Sequence, residues 1–164
     1  MALTAKMILN ILIDYTSTRD LGTATLPIQL SRGITLTDGT GANKGDICFD
    51  DNRTLADGAN ETIDVRSITD AYGTALTFDI LRGLYIKNNS TDSGLLIGNA
   101  AATQLGIFSV ATHILLLPPG GEFFMTWPDA TGLDTTTNKD LKLEHDAVGA
   151  AVSLTYDIIL VGED

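Results

Sequence analysis

The amino-acid sequence predicts an all-β fold: an antiparallel β-sandwich or jelly-roll-like single domain with an N-terminal arm. Three observations lead there. About ten short strand-like segments recur every ~8 to 15 residues, with turn residues between them. The chain carries 22 threonines and 16 glycines, a composition that favours strands joined by tight turns. Helix formers nowhere accumulate in a long amphipathic window. With 164 residues, 44% of them hydrophobic and 19% charged, there is material for one sizeable core and not for two.

In chain order, residues 1–33 read as an N-terminal arm or edge strands and residues 34–164 as the β-sandwich domain. Met7 to Asp14 is compatible with a strand or with one helical turn. Thr23 to Leu30 and Ile34 to Thr37 read as short strands flanking Ser31-Arg32-Gly33, and Pro27 confines the first to an edge or an extended arm. A loop dense in turn residues follows from Thr37 to Asp46. Asp46 to Asp50 and Arg53 to Ala56 are strand-like, Ala56 to Asn60 is a turn, and Glu61 to Val65 alternates like a half-buried strand. Ser67 to Gly73 predicts one helical turn, with Ser67 as N-cap and Gly73 at its end. Ala75 to Leu81, Leu84 to Asn88 and Leu95 to Gly98 are strands, the last two joined by the hairpin-type loop Asn88 to Gly94.

His113 to Leu117 and Glu122 to Trp127 are two apolar strands around Pro118-Pro119-Gly120-Gly121, and predict a hairpin. Each Pro fixes φ and removes a donor while each Gly permits φ > 0, so neither strand continues through the junction. Asp140 to His145 and Val152 to Val161 complete the set. In the last, Val152, Leu154, Tyr156, Ile158 and Leu160 share one face.

The net charge of −11, with ten scattered basic residues, excludes a nucleic-acid backbone as partner and reads as solubility. No stretch approaches the ~20 apolar residues of a membrane-spanning helix, so no membrane partner is expected. The first residues, with Lys6 and an apolar run broken by Asn10, lack the pattern of a signal peptide. Cys48 is the only cysteine, which rules out an intrachain disulfide, and it reads as a small hydrophobe or a bystander.

His113 and His145, the only histidines, lack the spacing of a triad or a zinc site. Asp38, Asn43, Asp46, Asp50, Asp51 and Asp57 invite a cation reading, but their spacing fails the EF-hand pattern and turn chemistry explains them. The Gly-rich Asp38 to Asn43 is neither a P-loop nor a dinucleotide fingerprint. The sequence therefore predicts no enzyme, no catalytic residue, no cofactor and no metal. Trp127, Tyr72 and Tyr85 could form a sugar-binding platform, although Trp127, beside Pro128 in an apolar strand, reads better as a core or subunit-interface anchor.

An ordered set of motifs resembles a family of small virion proteins of tailed bacteriophages. It comprises Asp38-Gly39-Thr40-Gly41-Ala42-Asn43, Arg53-Thr54-Leu55-Ala56 and the run Thr69 to Phe78. It continues with Leu84 to Ser90, Pro119-Gly120-Gly121, Pro128-Asp129-Ala130-Thr131-Gly132 and the ending Thr155 to Gly162. Together these cover roughly residues 34–162. The resemblance implies a capsid decoration or cement protein that oligomerises, with a trimer favoured, and grips the major capsid protein on the virion surface. Its alternatives are a tail, collar or head-fibre component, or a carbohydrate-binding attachment module. The residues expected at a subunit or capsid interface are Trp127, Phe124, Pro118, Pro119, Pro27 and Ile28.

Overall fold

The computed structural model describes residues 2–147 and 152–164. Its strands are β1 (Thr4–Arg19), β2 (Gly22–Thr37), β3 (Ile47–Leu55), β4 (Asn60–Asp64), β5 (Ile68–Thr69), β6 (Ala75–Leu76) and β7 (Ile80–Asn88). There follow β8 (Leu95–Gly98), β9 (Ile114–Leu117), β10 (Glu122–Thr126), β11 (Leu133–Asp134), β12 (Asp140–His145) and β13 (Leu154–Glu163). The fold is all-β with antiparallel sheets, and among the described residues the one helical element is a 3-10 turn at Ala101–Thr103.

Two sheets form the body. One has the order β10-β7-β13-β3, with β11 also paired to β7, and the other the order β4-β12-β8-β9. Alternation along each strand sends one side inward. Leu84, Ile86, Leu154, Tyr156, Ile158 and Leu160 of the first sheet and Ile63, Leu95, Ile97, Leu141 and Leu143 of the second belong to one buried core. The alternation of the last strand is therefore met from Leu154 to Leu160, while Val152 is exposed ahead of it.

Two polar clusters, one buried and one half-buried, tie the body together. The Arg82 guanidinium contacts Glu163 Oε1 through Nε and Nη2 at 2.8 and 2.5 Å and reaches the carbonyls of Trp127, Asp129 and Ala130. Glu163 Oε1 also accepts the Gly41 N–H at 2.9 Å, which fastens the 38–45 loop. Between the sheets, Glu61 accepts from Arg53 Nη1 at 2.5 Å and from the Tyr156 hydroxyl at 2.7 Å. Burial first, then that hydroxyl bond, pushes the Tyr156 phenol far above its usual range.

Several local expectations are corrected. The Pro118 to Gly121 turn does not close a hairpin: β9 pairs with β8 in one sheet and β10 with β7 in the other, so the turn carries the chain between sheets. Its partner is Asn88, buried, whose Nδ2 donates to the carbonyls of Ser93, Leu117 and Pro118 at 2.8, 3.1 and 3.1 Å. Ser67 to Gly73 is no helical turn. Asp70 Oδ1 accepts the N–H groups of Tyr72 and Thr74, which makes an Asx-type turn between β5 and β6. The short strands expected on either side of Ser31-Arg32-Gly33 are one continuous strand, β2, and those on either side of Asp51 and Asn52 are likewise one, β3.

Candidate assembly surface

The first two strands form a ribbon apart from the sandwich. Thr4 pairs with Thr37 and the register runs unbroken to Arg19 opposite Gly22, closed by the two-residue turn Asp20-Leu21. Sixteen residues per strand make a ribbon about 53 Å long. A two-stranded ribbon consists of two edges, and an edge is where a Pro such as Pro27 is tolerated. From Ile8 to Gly33 every residue except Ser17 is exposed.

The register assigns each side chain to a face. Directly opposed residues of an antiparallel pair lie on the same side. One face carries Thr4, Lys6, Asn10, Asp14, Thr16 and Thr18 with a matching set of Thr, Ser and Gln from β2, interrupted by Ile8, Leu12 and Pro27. It is laced by Ser31 Oγ donating to Asn10 Oδ1 at 2.6 Å. The other face is an apolar ladder: Ala5 opposite Leu36, Met7 opposite Ile34, Ile11 opposite Leu30, Ile13 opposite Ile28 and Tyr15 opposite Leu26. Leu9 opposite Arg32 is the one rung with a charge before the tip region, where Arg19 faces Gly22.

Only the root of this ladder is covered by the body. Leu36 is fully buried, and Met7 lies over Gly83 of β7, where a Cβ would collide with its sulfur. Leu3 N–H donates to Asp38 Oδ1, Thr37 N–H to the Asn43 carbonyl, and Asn43 N–H to the Pro128 carbonyl, which anchor the root to the loop and the loop to the body. Between root and sheet lies an apolar cleft of about 330 Å³ lined by Met7, Leu9, Tyr85, Phe124 and Ile159. A neighbouring cleft of about 270 Å³ shares Met7, Leu9 and Phe124 and adds Arg32 and Ile34. Beyond Leu9 the ladder faces solvent: its next six apolar side chains are 38–66% exposed.

The residues expected at an interface fall in four places. Phe124 is exposed on the outer side of the first sheet at the arm's root, lining both clefts. Ile28 stands on the apolar face of the arm, and Pro27, opposite Asp14, on the polar face. Pro118 and Pro119 are exposed at the crossover between sheets. Trp127 is half-buried and packs against the core, its N–H donating to the Arg82 carbonyl at 2.9 Å.

Leu9, Ile11, Ile13, Tyr15, Leu26 and Leu30 belong to the same surface and were not singled out by the sequence reading. The signal is present as apolar residues at odd positions 5–15 and, with Arg32 as the one exception, at even positions 24–36. Asn10, which breaks the apolar run on paper, lies on the polar face and leaves the ladder intact.

The other chemically suggestive residues are dispersed. Asp38 and Asp46 accept backbone N–H groups of Leu3 and Asp164, and Asp51 pairs with Arg53. Among the described residues no group of three or more His, Cys, Asp or Glu is placed to hold a metal ion. His145 is buried, with Nε2 2.9 Å from the Val152 carbonyl and Nδ1 3.7 Å from Asp57. Cys48 is exposed, and its partial burial together with Asp50 raises its thiol pKa, which disfavours the nucleophilic thiolate. Of the three aromatics considered for a sugar platform, Tyr72 is exposed, whereas Tyr85 and Trp127 are half-buried. Comparison with known proteins adds no relative: no protein-family model, no curated protein and no solved structure matches the chain.

Proposed function

We propose that this chain is a virion structural protein of a tailed bacteriophage. More specifically, it is a capsid decoration or cement protein, made in the bacterial cytoplasm, that oligomerises and clamps the major capsid lattice. The observation that carries the reading is the arm, a ribbon of two 16-residue strands whose apolar face the body covers only at its root. An isolated two-stranded ribbon is marginal in water, and a large exposed apolar patch marks an interaction surface. The ordered motifs over residues 34–162 support the same reading independently of the arm.

The mechanism is additive and non-catalytic. Each subunit contributes modest apolar burial to its neighbours and to the lattice, and repetition by symmetry multiplies it. The body supplies a rigid platform, held by the Arg82–Glu163 and Arg53–Glu61 pairs, from which the arm projects.

The test is to add purified protein to expanded capsids that lack it. The reading expects saturable binding at a copy number comparable with that of the major capsid subunit, together with higher resistance of the shell to heat and chaotrope. Binding confined to tails or to a single vertex, or full occupancy without added resistance, contradicts it.

A further inference from the structure

We propose that the apolar face of the arm is a self-association site, covered by the same face of the arm of a second copy of this chain. This rests on the assembly part of the function proposed above. The experiment below uses purified protein alone, so its failure leaves the capsid reading to its own test.

The first argument is area. Ile11, Ile13 and Tyr15, opposite Leu30, Ile28 and Leu26, are 38–66% exposed and present roughly 600 Å² of apolar surface, against about 800 Å² per partner in a specific interface. Leu9, Phe124 and Ile159 extend the same surface along the root cleft, to roughly 800 Å² in all. The arm face and its root cleft together thus match what one side of a stable homo-oligomer buries. Two ribbons stacked by this face reproduce the inner layer of a sandwich, with sheets about 10 Å apart.

The second argument is charge. The arm, Thr4 to Thr37, holds Lys6, Arg19 and Arg32 against Asp14 and Asp20, a net of +1. The rest of the chain therefore carries −12 of the total −11. Copies of the body repel one another, whereas arm against arm meets almost no net repulsion and arm against a neighbouring body meets attraction. The arm, which lies outside the acidic surplus of the body, also carries the uncovered apolar face.

The third argument separates a second copy from a lipid surface. Alternation of polar and apolar faces also describes a strand of a membrane barrel, whose apolar band is about 25 Å tall. Here Arg32 opposite Leu9 interrupts the ladder, and Ser17 opposite Ala24 ends it. The uninterrupted apolar rungs, Ile11 to Tyr15, extend only ~17 Å.

The experiment measures mass in solution by light scattering and sedimentation over a wide range of protein concentration. Wild type is expected to be a discrete oligomer. The double variant Ile13→Lys/Ile28→Glu replaces one cross-strand pair by an opposite-charge pair, which preserves ribbon pairing but makes the apolar face polar. It is expected to raise the dissociation constant at least about 1,000-fold, with Trp127 emission and far-ultraviolet dichroism unchanged. Leu12→Lys/Gln29→Glu places the same charges on the opposite face and is expected to leave the oligomer intact. The proposal is overturned by a wild-type monomer at every concentration, whether or not it inserts into phosphatidylcholine vesicles. It is equally overturned if the first variant stays oligomeric or if the second dissociates to the same degree.

Discussion

Removing one partner of the Arg82–Glu163 pair will destabilise the body more than any other single polar change. Both side chains are buried, at 0% and 5% exposure, and Arg82 ties β7 to the end of β13 and to the 127–130 turn. Breaking such a pair leaves an uncompensated buried charge, at a cost of about 3–5 kcal/mol. The two halves are unequal. Glu163→Leu leaves the guanidinium its carbonyl partners at Trp127, Asp129 and Ala130, so it belongs near the lower figure. Arg82→Leu strips those carbonyls of a donor and leaves the carboxylate with the Gly41 N–H, so it belongs near the upper one. Arg82→Leu/Glu163→Leu removes both charges and should cost less than the two singles together, with a coupling of about 2–3 kcal/mol. Urea unfolding followed by Trp127 emission, at one fixed protein concentration, measures all four. Strict additivity, or a cost under about 1 kcal/mol for Arg82→Leu, refutes the assignment of this pair as the clasp of the body.

Asn88→Ala should cost about 2–4 kcal/mol in the same assay, because the carbonyls of Ser93, Leu117 and Pro118 lose their shared donor. Gly162→Ala should cost about 2–4 kcal/mol, since a Cβ at this bulge meets the Ile80 carbonyl oxygen and lies 2.8 Å from Phe78 Cδ1; a neutral result would show that the strand end relaxes. Stability should fall as pH rises above 10.0, the ordinary tyrosine value, because the unfolded chain releases the Tyr156 proton that burial holds in the folded state. Tyr156→Phe should flatten that alkaline limb, and an unchanged limb would place the effect elsewhere. At the acid end, hydrogen bonds from the Asn89 and Asn52 side chains hold the Asp157 carboxyl below its ordinary 3.8, so stability from this group should be lost as pH falls below that value. Asp157→Asn should reduce the loss in an acid titration of unfolding.

The body was more legible in the sequence than the arm, for a physical reason. Where burial is strong, as along Leu154, Tyr156, Ile158 and Leu160, alternation is imposed by the core and can be read directly. Turn chemistry locates a chain reversal but not the partner of each strand. Pro118-Pro119-Gly120-Gly121 stops two strands, yet their separation into different sheets depends on Asn88, 30 residues away from Pro118 and reached only in the fold. Asp70 shows the same limit: within the segment Ser67 to Gly73, expected as a helical turn, its carboxylate instead accepts from the Tyr72 and Thr74 N–H groups across a tight reversal. In the arm, a polar Asn10 and a Pro27 sit on the face opposite the ladder, so they interrupt the apolar run along the chain but not the alternate-residue set, whose one charged member before the tip is Arg32. The interface residues divided accordingly, with Ile28 and Phe124 beside the apolar surface and Trp127 drawn into the packing of the body.

Hydrogen exchange of the arm amides as a function of protein concentration tests the central claim most directly. A lone two-stranded ribbon is marginal and exchanges fast, whereas a ribbon packed face to face on its counterpart is protected. The account predicts that peptides covering Ile8 to Gly33 gain protection as concentration rises, while β13 is protected throughout. Arm amides that exchange freely at every concentration, beside a fully protected β13, would contradict it.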